Sequence, residues 1–290
     1  MKGWVIFSAL LLLISASGFV GAYSSAGSGV CICGNGLTTL GGNATDACVD
    51  CSMALGDTGP CGRGVRYAGT VPVNNYSGTC ISWPFGFSNL FFDCQNNVLN
   101  GGPNYGIMVI AANNVTIMNC VVHGFFYGVG FLGVENSSVI NCRFDNNTNY
   151  GIYLRDSSYN QLINNTADYN NYGIFIYSLL GGQSVGNSVS RNRANYNMYH
   201  GMAFSNAASA GNTLNDNRFC YNNRASFTWL DISDDDSNTG DNNRCDLVST
   251  WTDTGESTGC TFACNSSSGS EYFKTLYTGW NLIDVPIQFA

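Results

Sequence analysis

The sequence predicts an all-β chain wound as a right-handed parallel β-helix, a solenoid closed at both ends by disulfide-stapled caps. Three observations predict it. A short phrase, an aromatic or His residue followed by Gly and an alternating apolar strand, recurs five times: Tyr105-Gly106-Ile107, Tyr127-Gly128-Val129, Tyr150-Gly151-Ile152, Tyr172-Gly173-Ile174 and His200-Gly201-Met202. The glycines are 22, 23, 22 and 28 residues apart, a period at which each coil buries the apolar face of its neighbour. A second strand phrase follows each first one: NNVTIMNCVV, NSSVINCRF, NQLINNTAD, NSVSRNRAN and NTLNDNRFC. Period-2 alternation with Gly and Asn at the bends excludes helices as the main element. The hand follows from the general preference of parallel crossovers.

Taken in chain order, residues 1–22 combine Lys2, an apolar run from Trp4 to about Ile14, and the small residues Val20-Gly21-Ala22. This reads as a secretory signal cleaved after Ala22. Its apolar run is shorter than a comfortable bilayer span, and no membrane span is expected once it is removed. Residues 23–82 are a Cys-rich N-terminal cap, with 23–30 (YSSAGSGV) a flexible start and six cysteines between 31 and 80. Cys31-x-Cys33 and Cys48-x-x-Cys51 resemble metal knuckles, but zinc sites want a reducing compartment and often His. Disulfides are the expected use.

Residues 83–245 form the β-helix. Ile117, Val139, Leu162, Val189 and Leu214 align as one inward aliphatic row, and Cys120, Cys142, Asn165, Asn192 and Asn217 as a second. Coils lie about 4.8 Å apart, so like side chains sit above like and the Asn amides are placed to bond up the stack. The first-strand pairs Ile107/Val109, Val129/Phe131, Ile152/Leu154, Ile174/Ile176 and Met202/Phe204 fill the same core. Residues 231–265 break the period, and 246–290 are read as a C-terminal closure. Its last stretch, around Gly279-Trp280-Asn281-Leu282, looks like the opening strand of a further, truncated β module.

The 13 cysteines all lie beyond the signal, which with secretion favours disulfides over thiols. Cys80–Cys94 would tie the cap to the first coil, and Cys220–Cys245 and Cys260–Cys264 would close the far end. Connectivity itself is not readable from sequence, and Cys120 and Cys142 are either bonded between coils or buried thiols. After the signal the chain has 10 basic and 19 acidic residues, with Lys274 its one remaining lysine. Nothing here would neutralise a run of phosphates, so nucleic acid is excluded as a partner. Seven Asn-x-Ser/Thr sequons, at Asn43, Asn75, Asn114, Asn136, Asn146, Asn164 and Asn265, fit an extracellular or cell-surface protein.

Phe92-Asp93-Cys94-Gln95, the Tyr-Gly-Ile repeats, Asn-Val-Thr-Ile-x-Asn-Cys at 114–120, and Asn243-Arg244-Cys245-Asp246 with Trp251, Asp253, Cys260 and Cys264 resemble the NosD-like and pectate-lyase-like β-helix repeat families of secreted archaeal and bacterial proteins. The resemblance spans about residues 60–265. It implies the fold. It does not single out an activity, because such families include copper-maturation factors, sugar-binding modules, lyases, hydrolases and inert scaffolds.

The candidate chemistries are few. Glycoside hydrolysis needs two carboxylates at a fixed separation. Asp145 and Asp168 are the matching acids, with no Arg-x-Lys and with His123-Gly124 lacking a leading Gly. A lyase needs a base for the proton beside a uronate carboxylate. Arg143, Arg193 and Arg218 form an outward column that would serve as a polyuronate track, or simply pair with Asp145 and Asp168 on a solvated face. No resident cofactor is expected, and Ca²⁺ is the one cation weighed, on the cluster Asp231, Asp234, Asp235, Asp236 and Asp241. That cluster reads more readily as a solvated acidic turn. Copper would want clustered His, Met or Cys, and the chain's two histidines, His123 and His200, sit in different columns. Carbohydrate binding without catalysis remains, with outward Tyr153 and Phe175 as stacking platforms beside Arg143, Arg193 and Arg218. The sequence therefore favours a non-catalytic module for glycans or other envelope components, acting as scaffold or adhesin, over a polysaccharide lyase or glycosidase.

Overall fold

The computed structural model describes residues 23–34, 47–57, 59–70, 73–179, 181–205, 207–224, 230–234 and 237–265. The predicted signal, Asp235, Asp236 and the tail around Gly279 lie outside the described residues. Each coil contributes a longer strand to one sheet and a three-residue strand to another. The first sheet has seven strands in chain order, from Ile81–Ser82 through Tyr105–Ile110, Tyr127–Leu132, Tyr150–Arg155, Tyr172–Tyr177 and His200–Phe204 to Ile232–Ser233. The second has ten, from Ser24–Gly27 to Thr239–Asp241. A third, narrower sheet of three strands (Val73–Tyr76, Val98–Gly101, Val121–His123) continues as single-residue bridges through Arg143, Thr166, Arg193, Arg218 and Arg244.

Register is set by the repeat itself. Tyr127 pairs with Tyr105 and Tyr150, and Val139 with Ile117 and Leu162. The inward rows are fully buried, with Ile107, Ile117, Val139, Ile152, Leu162, Ile174 and Val189 all at 0% exposure. Each such side chain contributes roughly 1.5–3 kcal/mol on leaving water. The repeated Gly after Tyr has a local cause. A Cβ on Gly151 would stand 2.7 Å from the Gly173 carbonyl oxygen and 2.8 Å from Nδ2 of Asn170. Only Gly lets that strand entrance close on the next coil.

Inside the corners, asparagines form three ladders. Asn165 donates its backbone N–H (2.9 Å) and Nδ2 (3.0 Å) to Oδ1 of Asn192. Asn192 does the same to Asn217, and Asn217 to Asn243. Nδ2 of Asn192 also reaches back to the Leu162 carbonyl at 2.8 Å. The second ladder runs Asn160, Asn187, Asn212, Asn238, and the third Asn147, Asn170, Asn197, Asn222. These amides satisfy the buried backbone groups that the bends leave without sheet partners.

The caps depart from the sequence reading in three ways. The start is not loose, because Ser24–Gly27 folds back antiparallel on Val30–Cys33 and covers the edge of the second sheet. Within the N-terminal cap lies an α-helix, Ala47–Gly56, which buries both Cys48 and Cys51. The disulfides pair Cys31–Cys61, Cys33–Cys51, Cys48–Cys80, Cys94–Cys120, Cys220–Cys264 and Cys245–Cys260. The expected pairs Cys80–Cys94, Cys220–Cys245 and Cys260–Cys264 are therefore not formed. The coil register carries Cys94 beside Cys120, at a Cα separation of 4.8 Å, while the helix brings Cys48 to Cys80. Cys142 is a buried free thiol whose Sγ accepts the Cys120 N–H at 3.3 Å, in the place of an Asn Oδ1.

Replacing Asn192 by Ala strips partners from the Asn165 N–H and the Leu162 carbonyl. At about 1–3 kcal/mol per stranded buried group, a loss of about 3 kcal/mol is expected in urea unfolding. A change within experimental error would remove the ladder from the account. Cys142→Asn extends the same ladder and is expected to hold or raise the melting temperature.

Candidate functional site

The outer face of the first sheet is aromatic. Tyr105, Tyr127, Tyr150 and Tyr172 stack along the axis with ring centroids 4.1, 5.2 and 5.1 Å apart. Each ring leans across the strand towards the next coil. Tyr127 meets Tyr153 at 5.3 Å, Tyr150 meets Phe175 at 5.2 Å, and the Tyr105 ring fills the space over Gly130. Stacked rings cover one another's faces, so what remains open along the column is ring edges and phenol oxygens. This changes the role expected of Tyr153. It is 8% exposed, held between Tyr127, Tyr150 and Phe175, and offers no free face to a sugar. Phe175 is half-buried and likewise stacked.

One charge enters this face. Arg155 ends the strand Tyr150–Arg155, in register with Leu132 and Tyr177. Its Nε is buried with no hydrogen-bond partner, and Asp156 stands 3.9 Å away. Burial pushes the Tyr153 phenol up to about 12, and the Arg155 charge pulls it back in part. Burial with the neighbouring Tyr172 and Tyr127 phenols also takes Tyr150 to about 12, and Tyr105 is raised chiefly by burial. At neutral pH this is a surface of neutral phenols, hydrogen-bond donors and acceptors, around a guanidinium. Sequence reasoning passed over Arg155. The available signal was its column, Ile110, Leu132, Arg155, Tyr177, in which it is the only charged residue.

The other predicted residues fall elsewhere. Arg143, Arg193 and Arg218 do form one outward column on the third sheet, with Thr166 between the first two. Arg143 pairs with Asp145, and Arg193 with Asp168 at 2.7 Å. Both carboxylates are buried (3% exposed each) and built into the corner. Asp145 accepts the Asp168 N–H at 3.0 Å, and Asp168 the Asn195 N–H at 2.8 Å. Burial raises the Asp168 carboxyl, while the Asn195 amide and Arg193 lower it. This geometry spends both acids on the backbone and on arginine. His200 closes the tyrosine column, its Nδ1 accepting the Leu230 N–H at 3.0 Å, and burial lowers its pKa.

Of the acidic cluster predicted near the end, Asp231 and Asp234 are ladder ends. Asp231 accepts from Asn222 Nδ2 (2.9 Å) and the Asp246 N–H (2.9 Å), and Asp234 from Asn238 Nδ2 (2.6 Å). Asp253 accepts from Asn243 Nδ2 (2.7 Å), the Asn243 N–H (2.8 Å), Trp251 Nε1 (3.0 Å) and the Thr261 N–H (2.8 Å). Every ladder passes donors towards the C-terminus, so its last member must accept without donating, which a carboxylate does and an amide does not. Asp241 accepts from the Asn242 N–H. Among the described residues no group of three His, Cys, Asp or Glu is arranged to hold a metal.

The fold and this geometry define a class, the parallel β-helix with one broad aromatic face. A family model described as "Right handed beta helix region" matches residues 86–245, more than half of the chain, and the chain belongs to that family. A comparison with curated protein sequences gives no match. Among solved structures, the chain is similar to an alginate lyase from Paenibacillus sp. str. FPU-7, with a TM-score of 0.53 and 16% identity over 68% of this chain and 73% of that one. It is also similar to the pectate lyase Pel9A (TM-score 0.46, 16% identity, 69% of this chain and 56% of that one). A third is the A-module of the mannuronan C-5 epimerase AlgE6 from Azotobacter vinelandii (TM-score 0.44, 15% identity, 66% and 49%). The chain thus spans about half the length of these last two, and the likeness is one of fold. No helix among the described residues is long and apolar enough to cross a membrane.

Two measurements probe this geometry. Asp253→Asn turns an NH₂ group against N–H donors and is expected to destabilise the chain by about 2 kcal/mol or more, read by urea unfolding; a neutral result would refute the terminator role. In alkali, the Tyr150 and Tyr153 phenols keep their protons above the ordinary value of 10. Their contribution to stability is complete below pH 10 and is lost as pH climbs through about 12. Phenolate absorbance should accordingly lag behind that of the unfolded chain, with unfolding free energy falling across that window.

Proposed function

We propose that the chain is an extracellular β-helix module that holds a polysaccharide bearing uronate groups along the tyrosine face of its first sheet, without cleaving it. The observation that carries this reading is Arg155. Its Nε makes no hydrogen bond, its guanidinium is part-exposed with only Asp156 beside it at 3.9 Å, and it stands in a surface of neutral phenols running across several coils. Phenol oxygens on regularly spaced coils suit a chain of sugar hydroxyls, and a guanidinium among them suits a carboxylate. The six disulfides support an oxidising, extracellular setting. Binding needs no calcium in this reading, because the carboxylates of Asp231 and Asp234 serve the ladders.

A second reading, a polysaccharide lyase, draws on the same site. The alginate lyase whose fold is similar acts, by its name, on such a polymer. Neutralising a uronate carboxylate is the first requirement for removing the proton beside it, and Arg155 is placed to do that. The phenols standing nearest are raised and protonated, which leaves a general base unassigned and favours binding.

The test is retention on immobilised polymannuronate and polygalacturonate against neutral glucan, with and without EDTA, assayed in parallel for unsaturated products. Arg155→Ala and Tyr177→Phe should weaken retention on the acidic polymers several-fold, and Arg193→Ala should leave it nearly unchanged. Unsaturated ends that vanish in Arg155→Ala would replace the binding reading with the lyase. Equal retention by wild type and Arg155→Ala would remove the site.

A further inference from the structure

We infer that the corner asparagines Asn146 and Asn164, and one of the pair Asn114 and Asn136, are N-glycosylation acceptors, so that a sugar coat covers the second and third faces and leaves the tyrosine face bare. The inference rests on the extracellular reading and not on the tyrosine face. The coil geometry sorts asparagines into two populations. In the first two ladders an Asn, such as Asn165 or Asn187, points inward and the residue two further on is again inward and apolar (Ala167, Val189), while in the third the residue two further on is Asn149, Tyr172, Tyr199 or Arg224, none of them Ser or Thr. A corner Asn points outward, and two residues on comes another outward position where Ser or Thr is tolerated. Period-2 alternation therefore confines the Asn-x-Ser/Thr pattern to asparagines on the surface.

Exposure and backbone conformation follow the same division. Asn114, Asn136, Asn146 and Asn164 are all exposed and all at positive φ, 54°, 49°, 54° and 54°. Left-handed corners of this kind stand proud of the strands and favour Asn or Gly over other residues. None of the buried ladder asparagines heads a sequon. Placement is also lopsided. Asn114 and Asn136 lead into the second sheet, Asn164 leaves it, and Asn146 follows the third-sheet bridge at Arg143. No sequon falls on the first-sheet strands from Tyr105 to Phe204. Asn114 and Asn136 occupy the same column of adjacent coils, about 4.8 Å apart, too close for two branched glycans, and so only one is filled in any molecule.

In the transfer, Nδ2 of the acceptor forms a bond to the anomeric carbon of a lipid-pyrophosphate-linked oligosaccharide. The bond from that carbon to the phosphate oxygen breaks, its electron pair leaves on the lipid pyrophosphate, and Nδ2 releases a proton. The test is intact-mass and glycopeptide mass spectrometry on chain recovered from the cells that make it. Expected are sugar adducts at Asn146 and Asn164, and molecules carrying one adduct or none across Asn114 and Asn136. Asn146→Asp, which keeps a residue tolerant of the left-handed corner, and Thr148→Ala, which leaves Asn146 in place, should each remove the same single glycan mass with the melting temperature held. Chain found outside the cells, beginning near Tyr23 and bare at these positions, would overturn the inference and leave the extracellular reading intact. Chain found only inside the cells would overturn both.

Discussion

The rest of this structure depends on one constraint, the need to satisfy backbone groups buried at every bend of a coil about twenty residues around. Sheets pair only the straight segments. At the corners the amide ladders take over, each Asn carrying one coil's N–H and returning a hydrogen to a carbonyl of the coil before. Spacing between coils, strand register and the position of the Tyr-Gly phrase all follow, because a ladder tolerates no insertion within its own column. The longer coil accordingly takes its extra length between the first-sheet strand Tyr172–Tyr177 and the ladder residue Asn187.

The same constraint decides where charge can and cannot act. Asp145 and Asp168 look in sequence like catalytic acids, Asp231 and Asp234 like calcium ligands, and Asp253 like part of a polar closing loop. In the coil they are acceptors for corner N–H groups, and three of them end ladders that would otherwise present an amide NH₂ to further donors. The binding reading proposed above places function on the outer face of the first sheet. There the tyrosines cover each other, so the face offers edges, hydroxyls and Arg155 in place of open ring faces. A rigid surface of this kind holds its polar groups without loop ordering on binding, which lowers the entropic cost of engaging a polymer.

Much of the fold was legible because a solenoid repeats its own evidence. The columns Ile117/Val139/Leu162/Val189/Leu214 and Cys142/Asn165/Asn192/Asn217 follow from alignment at one period, and they stand in the structure as aligned. The second ladder, Asn160/Asn187/Asn212, was present in the same alignment at the edge of its phrases, and the third, through Asn170, lies at the corners beyond them, where no strand pattern draws attention to it. The caps were not legible, since they do not repeat. The helix Ala47–Gly56 has only a short run of good helix formers between cysteines, and the disulfide partners lie 15 to 44 residues apart with no periodic relation.

The sequence by itself determined the coil, its hand, its inward rows and its closed ends, because these depend on local alternation and on a period counted along the chain. Only the tertiary structure decided which side chains face which. Tyr153 alternates outward but is covered by rings from neighbouring coils, Asp253 is a buried acceptor although it lies in a polar loop, and Arg155 gains its setting from Tyr105, Tyr153 and Tyr177 on three separate coils. Burial and pairing between coils are properties of stacking, and stacking depends on how rings lean and how corners turn, which no single coil's sequence encodes.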